Sequence, residues 1–258
     1  MNERLSQATR NHYQELIGQI GAGYIDYRWQ RHPVSRSHYR QTRKAVEFAF
    51  RGIEPAGELL EIGCGPGTWT DICLAHGARL TIVDISSEML KLVRERFSEA
   101  PLDLHCGDFL NDGVEIPRRF DVIFSARALE YMDDKEAMVA KSVRWLSPGG
   151  RLVVITKNPG WVDKHREDRR GAADTIHSGW IDWRTLEGHY RRHGLRDVVT
   201  YPVCLGSYYR PLSMAPAIRF CDLLQAGLHR HALRPGFDFL VESYMTIGRK
   251  PPTQGDAP

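Results

Sequence analysis

The stretch LLEIGCGPGTWT, residues 59 to 70, decides the predicted fold of this chain. Its apolar start, with Leu59, Leu60 and Ile62, is typical of a strand buried on both faces. The segment TWTDICLAH that follows is typical of a helix with Thr68 as its N-cap. Glycine tolerates positive φ and lets a ligand approach the backbone without meeting a Cβ atom. The stretch therefore predicts a strand, a glycine turn that binds a ligand, and a helix.

The positions of the glycines and of one acid indicate the kind of ligand. A dinucleotide site places pyrophosphate at the helix N-terminus with the pattern G-x-G-x-x-G. Here the glycines are Gly63, Gly65 and Gly67, so the third comes one residue early and Thr68 stands at the dinucleotide position. Glu61, just before the turn, repels a pyrophosphate and suits an ammonium group. We therefore expect a cationic nucleoside as the ligand.

Length and composition indicate one globular α/β unit. The chain has 258 residues, 42% hydrophobic content and a net charge of +3, which is too mild to indicate nucleic acid. Its 5 cysteines form no CxxC pair, as is typical of reduced thiols in a cytosol. We find no apolar run of the roughly 20 residues that span a membrane, and the first residues are polar. A soluble, cytoplasmic protein is expected.

Strands and helices alternate after the glycine turn. Helices are predicted in SSEMLKLVRERF, DKEAMVAKSVRWLS and IDWRTLEGHYRRHG, the last with Asp182 as its N-cap and Gly194 at its end. Strands are predicted in RLTIVD, LDLHCGD, RFDVIFSA, PGGRLVVITK, LRDVVTYPV and DFLVESYMTIG. Such alternation predicts a parallel sheet with helices on both faces and ligands at the carboxyl ends of the strands.

The rest of the chain divides around this unit. Residues 1–52 are predicted to be an N-terminal helical cap, residues 53–250 the main domain, and residues 251–258 a disordered tail. An insertion at about 205–235 precedes the last strand. Its segment MAPAIRFCDLLQAGL has only Arg219, Asp222 and Gln225 as polar residues, so most of the helix surface is expected to be covered. Packing on the core, a substrate lid, a homodimer face and a lipid-facing surface all stay open.

Two aspartates follow strands at positions that suit a nucleoside. Asp84 closes the second strand, where a carboxylate accepts both ribose hydroxyls, and Asp108 follows the third, where one accepts from an adenine amino group. Ile85 and Phe109, beside them, offer apolar walls for the ring. Either aspartate alone is more typical of a loop or an N-cap. Together with the glycine turn, they favour a nucleoside site.

With these motifs the sequence resembles the class I S-adenosylmethionine-dependent methyltransferases, of the small-molecule type similar to ubiquinone-biosynthesis enzymes. LLEIGCGPGTWT, VDISSEML, GDFL, FDVIFSARALEYM and LSPGGRLVV occur in the family's order, within about residues 55–200. The resemblance implies a doubly wound, seven-stranded, mostly parallel sheet of the Rossmann-like methyltransferase fold, with its last strand antiparallel. It also implies S-adenosyl-L-methionine as the cofactor.

The same resemblance implies a set of cofactor-binding residues. The glycines would wrap the methionine part, Glu61 would lie near its ammonium group, and Asp84 and Asp108 would hold ribose and adenine. The backbone at Ser125 and Ala126 would lie near the methionyl group. The full predicted set is Glu61, Gly63, Cys64, Gly65, Gly67, Asp84, Ile85, Asp108, Phe109, Ser125 and Ala126.

Methyl transfer from a sulfonium is an in-line displacement, so a positioned acceptor in a dry pocket supplies most of the rate and a base is optional. Many relatives carry a histidine where this chain has Tyr131. Tyr131, His165 and His177 are the candidates for a base, with Tyr131 and His177 as the predicted catalytic residues, although a packed tyrosine or surface histidine is more common at such places. FSAR and ITKN, at two strand ends, lack the clustered carboxylates of a metal site, so none is expected.

The sequence thus predicts methylation of an O, N or C atom of a small organic acceptor, apolar or aromatic. A catalytically silent S-adenosylmethionine-binding protein, an NAD-dependent dehydrogenase and an RNA methyltransferase are the alternatives. Basic stretches such as HYRRHGLR and KHREDRR are interpreted as solvated helix faces, so nucleic acid is not the expected partner.

Overall fold

The computed structural model describes residues 2–51, 56–110, 114–161, 179–205 and 215–253. Helices come first, and strands and helices then alternate. The elements are α1 (Asn2–Ile20), α2 (Pro33–Phe50), β1 (Ala56–Ile62), α3 (Thr70–His76), β2 (Gly77–Asp84), α4 (Ser87–Arg96), β3 (Leu102–Cys106), β4 (Phe120–Ala126), α5 (Lys135–Trp145), β5 (Leu146–Lys157), α6 (Trp183–Arg192), β6 (Arg196–Leu205), α7 (Ala215–Leu228) and β7 (Val241–Arg249).

The strands form one 7-stranded sheet in the order β3-β2-β1-β4-β5-β7-β6. β1 pairs in parallel with β2 and β4, whereas β7 is antiparallel to both β5 and β6. This confirms the predicted α/β fold, a doubly wound, mostly parallel sheet with the last strand antiparallel. The chain reverses its direction of winding between β1 and β4, which is where ligands bind in sheets of this kind.

Strand β1 shows why the apolar run was correctly interpreted as a strand buried on both faces. Successive side chains of a strand point to opposite faces. Leu60 and Ile62 are buried in one core cluster, with Val139 of α5 and Leu186 of α6. Leu59 is buried in the other, which includes residues of α2 and α3. Helices on both faces therefore require apolar residues at successive positions of the strand.

Helix ends agree with the predicted caps in one helix and differ in another. Asp182 caps α6 by accepting from the backbone N–H groups of Arg184 and Thr185, as predicted. The prediction that Thr68 caps α3 is wrong: the helix begins at Thr70, and Trp69 is its N-cap without a side-chain hydrogen bond. Gly67 has a φ of +76°, which is not helical, and the turn continues through Thr68 and Trp69 before the helix begins.

The N-terminal helices pack on the sheet domain at different places. α1 contacts α4, and α2 contacts α3, β6 and α7. A π-helical turn, Asp26–Gln30, lies between α1 and α2. Within the described ranges, no helix is both long and apolar enough to cross a membrane. The boundaries of an N-terminal cap stay a prediction, and residues 254–258 of the predicted tail lie outside the described residues.

Helix α7, in the predicted insertion, is only partly covered. Its buried residues include Cys221 and Gln225, and Asp222 pairs with Arg40 of α2. Phe220 and Leu223, however, are 63% and 75% exposed. Among the described residues, α2 and β6 contact one side of this helix, so the expectation that most of its surface is covered stays a prediction, with a homodimer face and a lipid-facing surface among its alternatives.

Candidate active site

The three glycines after β1 all have positive φ, of +70° at Gly63, +54° at Gly65 and +76° at Gly67. A Cβ atom at Gly63 would lie 2.3 Å from the Cβ of Ala128, and one at Gly67 would lie 2.9 Å from the ring of Phe97. At Gly65 nothing lies within 4 Å of such an atom. Gly63 and Gly67 therefore serve internal packing, whereas Gly65 leaves bare backbone beside open space.

That open space is a pocket at the carboxyl ends of β1, β2 and β4. Its empty volume is about 1090 Å³ when the solvent at its open mouth is included. The lining comprises Ser6, Thr9, Tyr13, Tyr24, Arg28, Trp29, Ile62, Gly63, Cys64, Gly65, Pro66, Thr68, Trp69, Val83, Asp84, Ile85, Met89, Gly107, Asp108, Phe109, Ala126, Arg127, Ala128, Glu130, Tyr131 and Met132.

Asp84 is held rigidly at the wall of this pocket. One carboxylate oxygen accepts from the backbone N–H of Gly65 at 2.9 Å, and the other accepts from that of Ser86 at 2.9 Å. Burial raises the pKa of Asp84 to about 6, although the hydrogen bonds from Ser86 and Gly65 oppose the shift. The oxygen that accepts from Ser86 keeps a further lone pair and can accept from a hydroxyl of a ligand, whereas the other oxygen also accepts from the thiol of Cys64.

Cys64 lies between two glycines of the turn and also lines the pocket. Its thiol is 3.7 Å from an oxygen of Asp84 and donates to it. Burial, followed by the charges of Asp84 and Glu61, raises the pKa of Cys64 well above its usual value. The side chain is therefore a protonated, packed thiol at neutral pH, and its part in a ligand site is contact rather than charge.

Glu61 lies behind the turn, outside the pocket lining formed by the described residues. It is 1% exposed, and its carboxylate accepts from the hydroxyl of Thr70 at 2.7 Å. Burial raises the pKa of Glu61 to about 7, against the effect of Thr70, with smaller upward contributions from Asp84 and Asp71. A positive charge bound at the turn would stabilise the ionised form of this carboxyl group.

Asp108, Ile85 and Phe109 also line the pocket, and α1 covers them. The Asp108 carboxylate accepts from the hydroxyl of Ser6 and from the backbone N–H of Leu110. Arg10 donates to the backbone carbonyl of Ile85 at 3.3 Å. The sequence did not single out Ser6 or Arg10, because nothing in α1 marks the contacts it makes with distant loops.

The end of β4 contributes backbone and a buried ion-pair network. The hydroxyl of Ser125 donates to the carbonyl of Ile62 at 3.1 Å, which ties β4 to β1, while Ala126 lines the pocket. Arg127 has φ +68°, an unusual conformation for a residue with a side chain. Its guanidinium pairs with Glu130 at 3.2 Å and with Glu242 at 3.5 Å. Arg127, which the sequence also did not single out, therefore fixes the loop after β4.

Three tyrosines meet at the other end of the pocket. The hydroxyl of Tyr13 donates to that of Tyr131 at 2.6 Å, and Tyr24 also lines this wall. Burial raises the pKa of Tyr131 to about 12 and raises the pKa of Tyr13 and Tyr24 as well. The phenols therefore stay protonated at neutral pH, which favours hydrogen-bond donation by Tyr131 over the predicted role of a base. His165 and His177 lie outside the described residues.

Two ends of the pocket can be distinguished by their chemistry. We define the carboxylate end by Asp84, Ile85, Asp108 and Phe109, and the tyrosine end by Tyr13, Tyr24, Arg28, Trp29 and Tyr131. Ser6 of α1 contacts the first and Tyr13 the second. These two residues are two helical turns apart, so the two contacts are separated by roughly 10 Å along the axis of α1.

One buried group of potential metal ligands lies outside the pocket lining. Side-chain ligand atoms of His38, Cys204 and Glu242 lie within 4.8 Å of one another. Glu242 already pairs with Arg127 and with Lys157 at 3.7 Å, and burial raises the pKa of Cys204 to about 11. The cationic side chains of Arg127 and Lys157 and the protonated thiol favour a structural ion-pair network over a metal site. The absence of a metal from the function stays a prediction.

Comparison with known proteins agrees with this geometry. A family model described as a methyltransferase domain matches residues 60–154. The chain is 24% identical over 164 residues to a ubiquinone biosynthesis O-methyltransferase of Xylella fastidiosa, covering 61% of the chain and 65% of that protein. It is 32% identical over 104 residues to a malonyl-[acyl-carrier protein] O-methyltransferase of Priestia megaterium, covering 40% and 37%. The matches thus span less than two thirds of either relative.

Solved structures share the fold over almost the whole chain. The DhpI–SAH complex has a TM-score of 0.63 at 17% identity, with 98% of this chain and 100% of that one covered. The N-methyltransferase NodS of Bradyrhizobium japonicum, in complex with S-adenosyl-L-homocysteine, has a TM-score of 0.59 at 19% identity, with 93% and 98% covered. Together with the match of residues 60–154 to a methyltransferase domain, these likenesses in fold confirm the resemblance to the class I S-adenosylmethionine-dependent methyltransferases that was inferred from the motifs.

Proposed function

We propose that this protein binds S-adenosyl-L-methionine in the pocket and transfers its methyl group to an O, N or C atom of a small organic acceptor. The observation that carries the proposal is the bare backbone at Gly65, which faces open space next to Asp84 and within the same pocket as Asp108. A cofactor with ribose hydroxyls, an adenine amino group and positive charge fits this site. The carboxylates of the protein offer acceptors for these groups, and the bare backbone at Gly65 leaves room for the ligand.

The residues of the carboxylate end would each hold one part of the cofactor. Asp84 would accept from the ribose hydroxyls, because its backbone hydrogen bonds fix its orientation. Asp108 would accept from the adenine amino group, with Ile85 and Phe109 as apolar walls. Glu61 would act on the ammonium group through its charge from behind the turn. Cys64, Gly63, Gly67, Ser125 and Ala126 complete the proposed site, chiefly by shaping its backbone.

When bound, the cofactor would supply a methyl carbon on a sulfonium; a bond from the acceptor atom to this carbon would form as the carbon–sulfur bond breaks, with S-adenosylhomocysteine as the leaving group. The chain's own part is to orient the acceptor and exclude water. α1 closes one side of the pocket through Ser6 and Tyr13, and the aromatic side chains Tyr24 and Trp29 shape its tyrosine end. Tyr131 would donate a hydrogen bond to the acceptor. These aromatic side chains support an apolar or aromatic acceptor.

Binding of S-adenosylhomocysteine, measured by calorimetry, tests the location of the site. Gly65→Val should abolish binding, because the new side chain fills the cofactor's position. Gly194→Val is the matched control: Gly194 also has positive φ, at +85°, with nothing within 4 Å of an added Cβ atom, but it lies after α6. Equal affinities in both variants would refute the location.

Turnover tests the reaction itself. The purified protein is incubated with methyl-labelled S-adenosylmethionine and host extract, and labelled products are identified. A labelled small molecule that disappears in the Gly65→Val variant supports methyl transfer. Binding of S-adenosylhomocysteine without any labelled product would instead support the silent cofactor-binding alternative. A cytoplasmic location and a homodimer stay predictions from the sequence.

A further inference from the structure

The tyrosine end of the pocket contains an arginine, Arg28, to which the cofactor site proposed above assigns no role. Arg28 belongs to the π-helical turn Asp26–Gln30 and lines the pocket. Its guanidinium carbon lies 4.8 Å from the ring centroid of Trp29, which is itself buried. A guanidinium that lies over an aromatic ring is held in place by it. The N–H donors point outward in the plane of the guanidinium and stay available to a ligand there.

The acidic residues that line the pocket already have other partners. Asp84 accepts from Gly65 and Ser86, and Asp108 accepts from Ser6. Glu130 pairs with Arg127. In the part of the chain that the structure describes, Arg28 makes no ion pair with any of them. A guanidinium in a pocket without a paired carboxylate is suited to an incoming oxyanion, because each of its N–H groups then gains an acceptor.

Hydrogen-bond donors surround the same place. Tyr13, Tyr24 and Tyr131 line the pocket with Arg28, and burial raises the pKa of each of these phenols. They are therefore neutral. Tyr13 already donates its one O–H to Tyr131, so Tyr24 is the phenol whose O–H is proposed to donate to a ligand here. The tyrosine end thus combines the positive charge of Arg28 with neutral phenols, whereas the carboxylate end is acidic.

On the basis of the proposed function, we propose that Arg28, assisted by the hydroxyl of Tyr24, forms an oxyanion subsite that binds a carboxylate at the tyrosine end of the pocket. The carboxylate has two possible sources, the methionyl group of the cofactor or an acidic acceptor. In the second case the enzyme selects carboxylic acids among small organic acceptors, and a carboxylate is ionised at neutral pH without help from a base.

The first arm of the test compares two cofactor-like ligands, S-adenosylhomocysteine and 5′-methylthioadenosine, which lacks the amino-acid group. Their affinities are measured by calorimetry for the wild type, Arg28→Gln and Arg28→Lys. If the cofactor supplies the carboxylate, Arg28→Gln lowers the affinity for S-adenosylhomocysteine by about tenfold or more, which is the scale of a charged hydrogen bond. The affinity for 5′-methylthioadenosine stays unchanged. Arg28→Lys should retain part of the affinity.

The second arm uses benzoate and its neutral analogue benzamide as probes, on the protein with and without S-adenosylhomocysteine, followed by ligand-observed NMR. If an acceptor supplies the carboxylate, the wild type prefers benzoate and Arg28→Gln loses that preference. Arg31→Gln is the control, because Arg31 also stacks on a ring, that of Tyr27 at 5.2 Å, but is exposed and lies outside the pocket lining.

The subsite is supported if Arg28→Gln has a selective effect in either arm while Arg31→Gln has none and the thermal unfolding of Arg28→Gln is unchanged. The arm that shows the effect identifies the source of the carboxylate. If Arg28→Gln alters neither the ligand ratio nor the benzoate preference, the subsite is rejected. Failure of the wild type to bind either nucleoside would reject the proposed function instead, and the benzoate arm on the unliganded protein would still test Arg28.

Discussion

The pH dependence of ligand binding gives the sharpest test of how Glu61 contributes. Burial raises the pKa of this carboxyl group from its ordinary 4.5 to about 7. Below pH 7 the ligand-free protein therefore holds a proton on Glu61, and a ligand with an ammonium group must displace it. S-adenosylhomocysteine carries that group and 5′-methylthioadenosine does not. Affinity for the first should fall with decreasing pH more steeply than affinity for the second.

The size of the effect follows from linkage between proton and ligand binding. If the ammonium group returns the pKa of Glu61 to 4.5, the affinity at pH 5 falls roughly 70-fold relative to pH 8, or about 2.5 kcal/mol. Asp84, with its pKa raised to about 6, weakens both ligands at low pH. The ratio of the two affinities cancels this shared contribution and isolates Glu61.

Calorimetric titration of both ligands from pH 5 to pH 8 measures this ratio. In Glu61→Gln the ratio should be independent of pH, because the amide cannot titrate but can still accept from Thr70. A wild-type ratio that stays constant across the range would show that Glu61 does not sense the ammonium group. The assignment of this residue to the cofactor site would then be rejected.

Three further perturbations test other parts of the site. Glu61→Gln should raise the thermal unfolding temperature of the ligand-free protein at pH 8 but not at pH 4.5. A carboxyl group with a raised pKa costs stability as pH rises from 4.5 through about 7, here by about 3 kcal/mol or roughly 6–12 °C. No difference at pH 8 would contradict the burial cost. Gly63→Ala should lower stability by more than Gly65→Ala, because only the former adds a clash, at 2.3 Å from Ala128, to the roughly 1–2 kcal/mol of a left-handed conformation. Equal losses in urea unfolding would contradict that packing. Removing residues 1–20 should weaken S-adenosylhomocysteine binding, since Ser6 and Arg10 contact the loops of Asp108 and Ile85. Unchanged affinity in a folded truncated protein would show that α1 does not close the cofactor site.

The central part of the fold was predictable because its signals are local. The glycine turn follows directly after a doubly buried strand, and the positions of Asp84 and Asp108 follow from the alternation of strands and helices. The carboxyl ends of parallel strands meet at one edge of the sheet, so residues placed there by the sequence come together without knowledge of side-chain packing. The one local error, Thr68 as an N-cap, concerns a turn whose length depends on where α3 can dock.

The contribution of α1 was not predictable in the same way. Its hydrogen bonds to Asp108, Ile85 and Tyr131 join residues 102, 75 and 118 positions apart in the sequence. Helical periodicity shows which face of a helix is apolar but not which distant loop that helix meets. Ser6, Arg10 and Tyr13 are ordinary polar residues of an amphipathic helix until the sheet places their partners opposite them.

The protonation of Tyr131 depends on the same long-range packing, and it limits how the reaction can proceed. The sequence shows a tyrosine at this position, but only its burial in the folded protein, followed by the charge of Glu130, raises its pKa to about 12. A phenol with that pKa removes protons poorly at neutral pH, since efficient bases have pKa values near the working pH. An acceptor in this pocket would therefore arrive already nucleophilic, as an amine, a carbanion or a carboxylate does. A carboxylate acceptor at Arg28 would meet this requirement and the charge of the tyrosine end together.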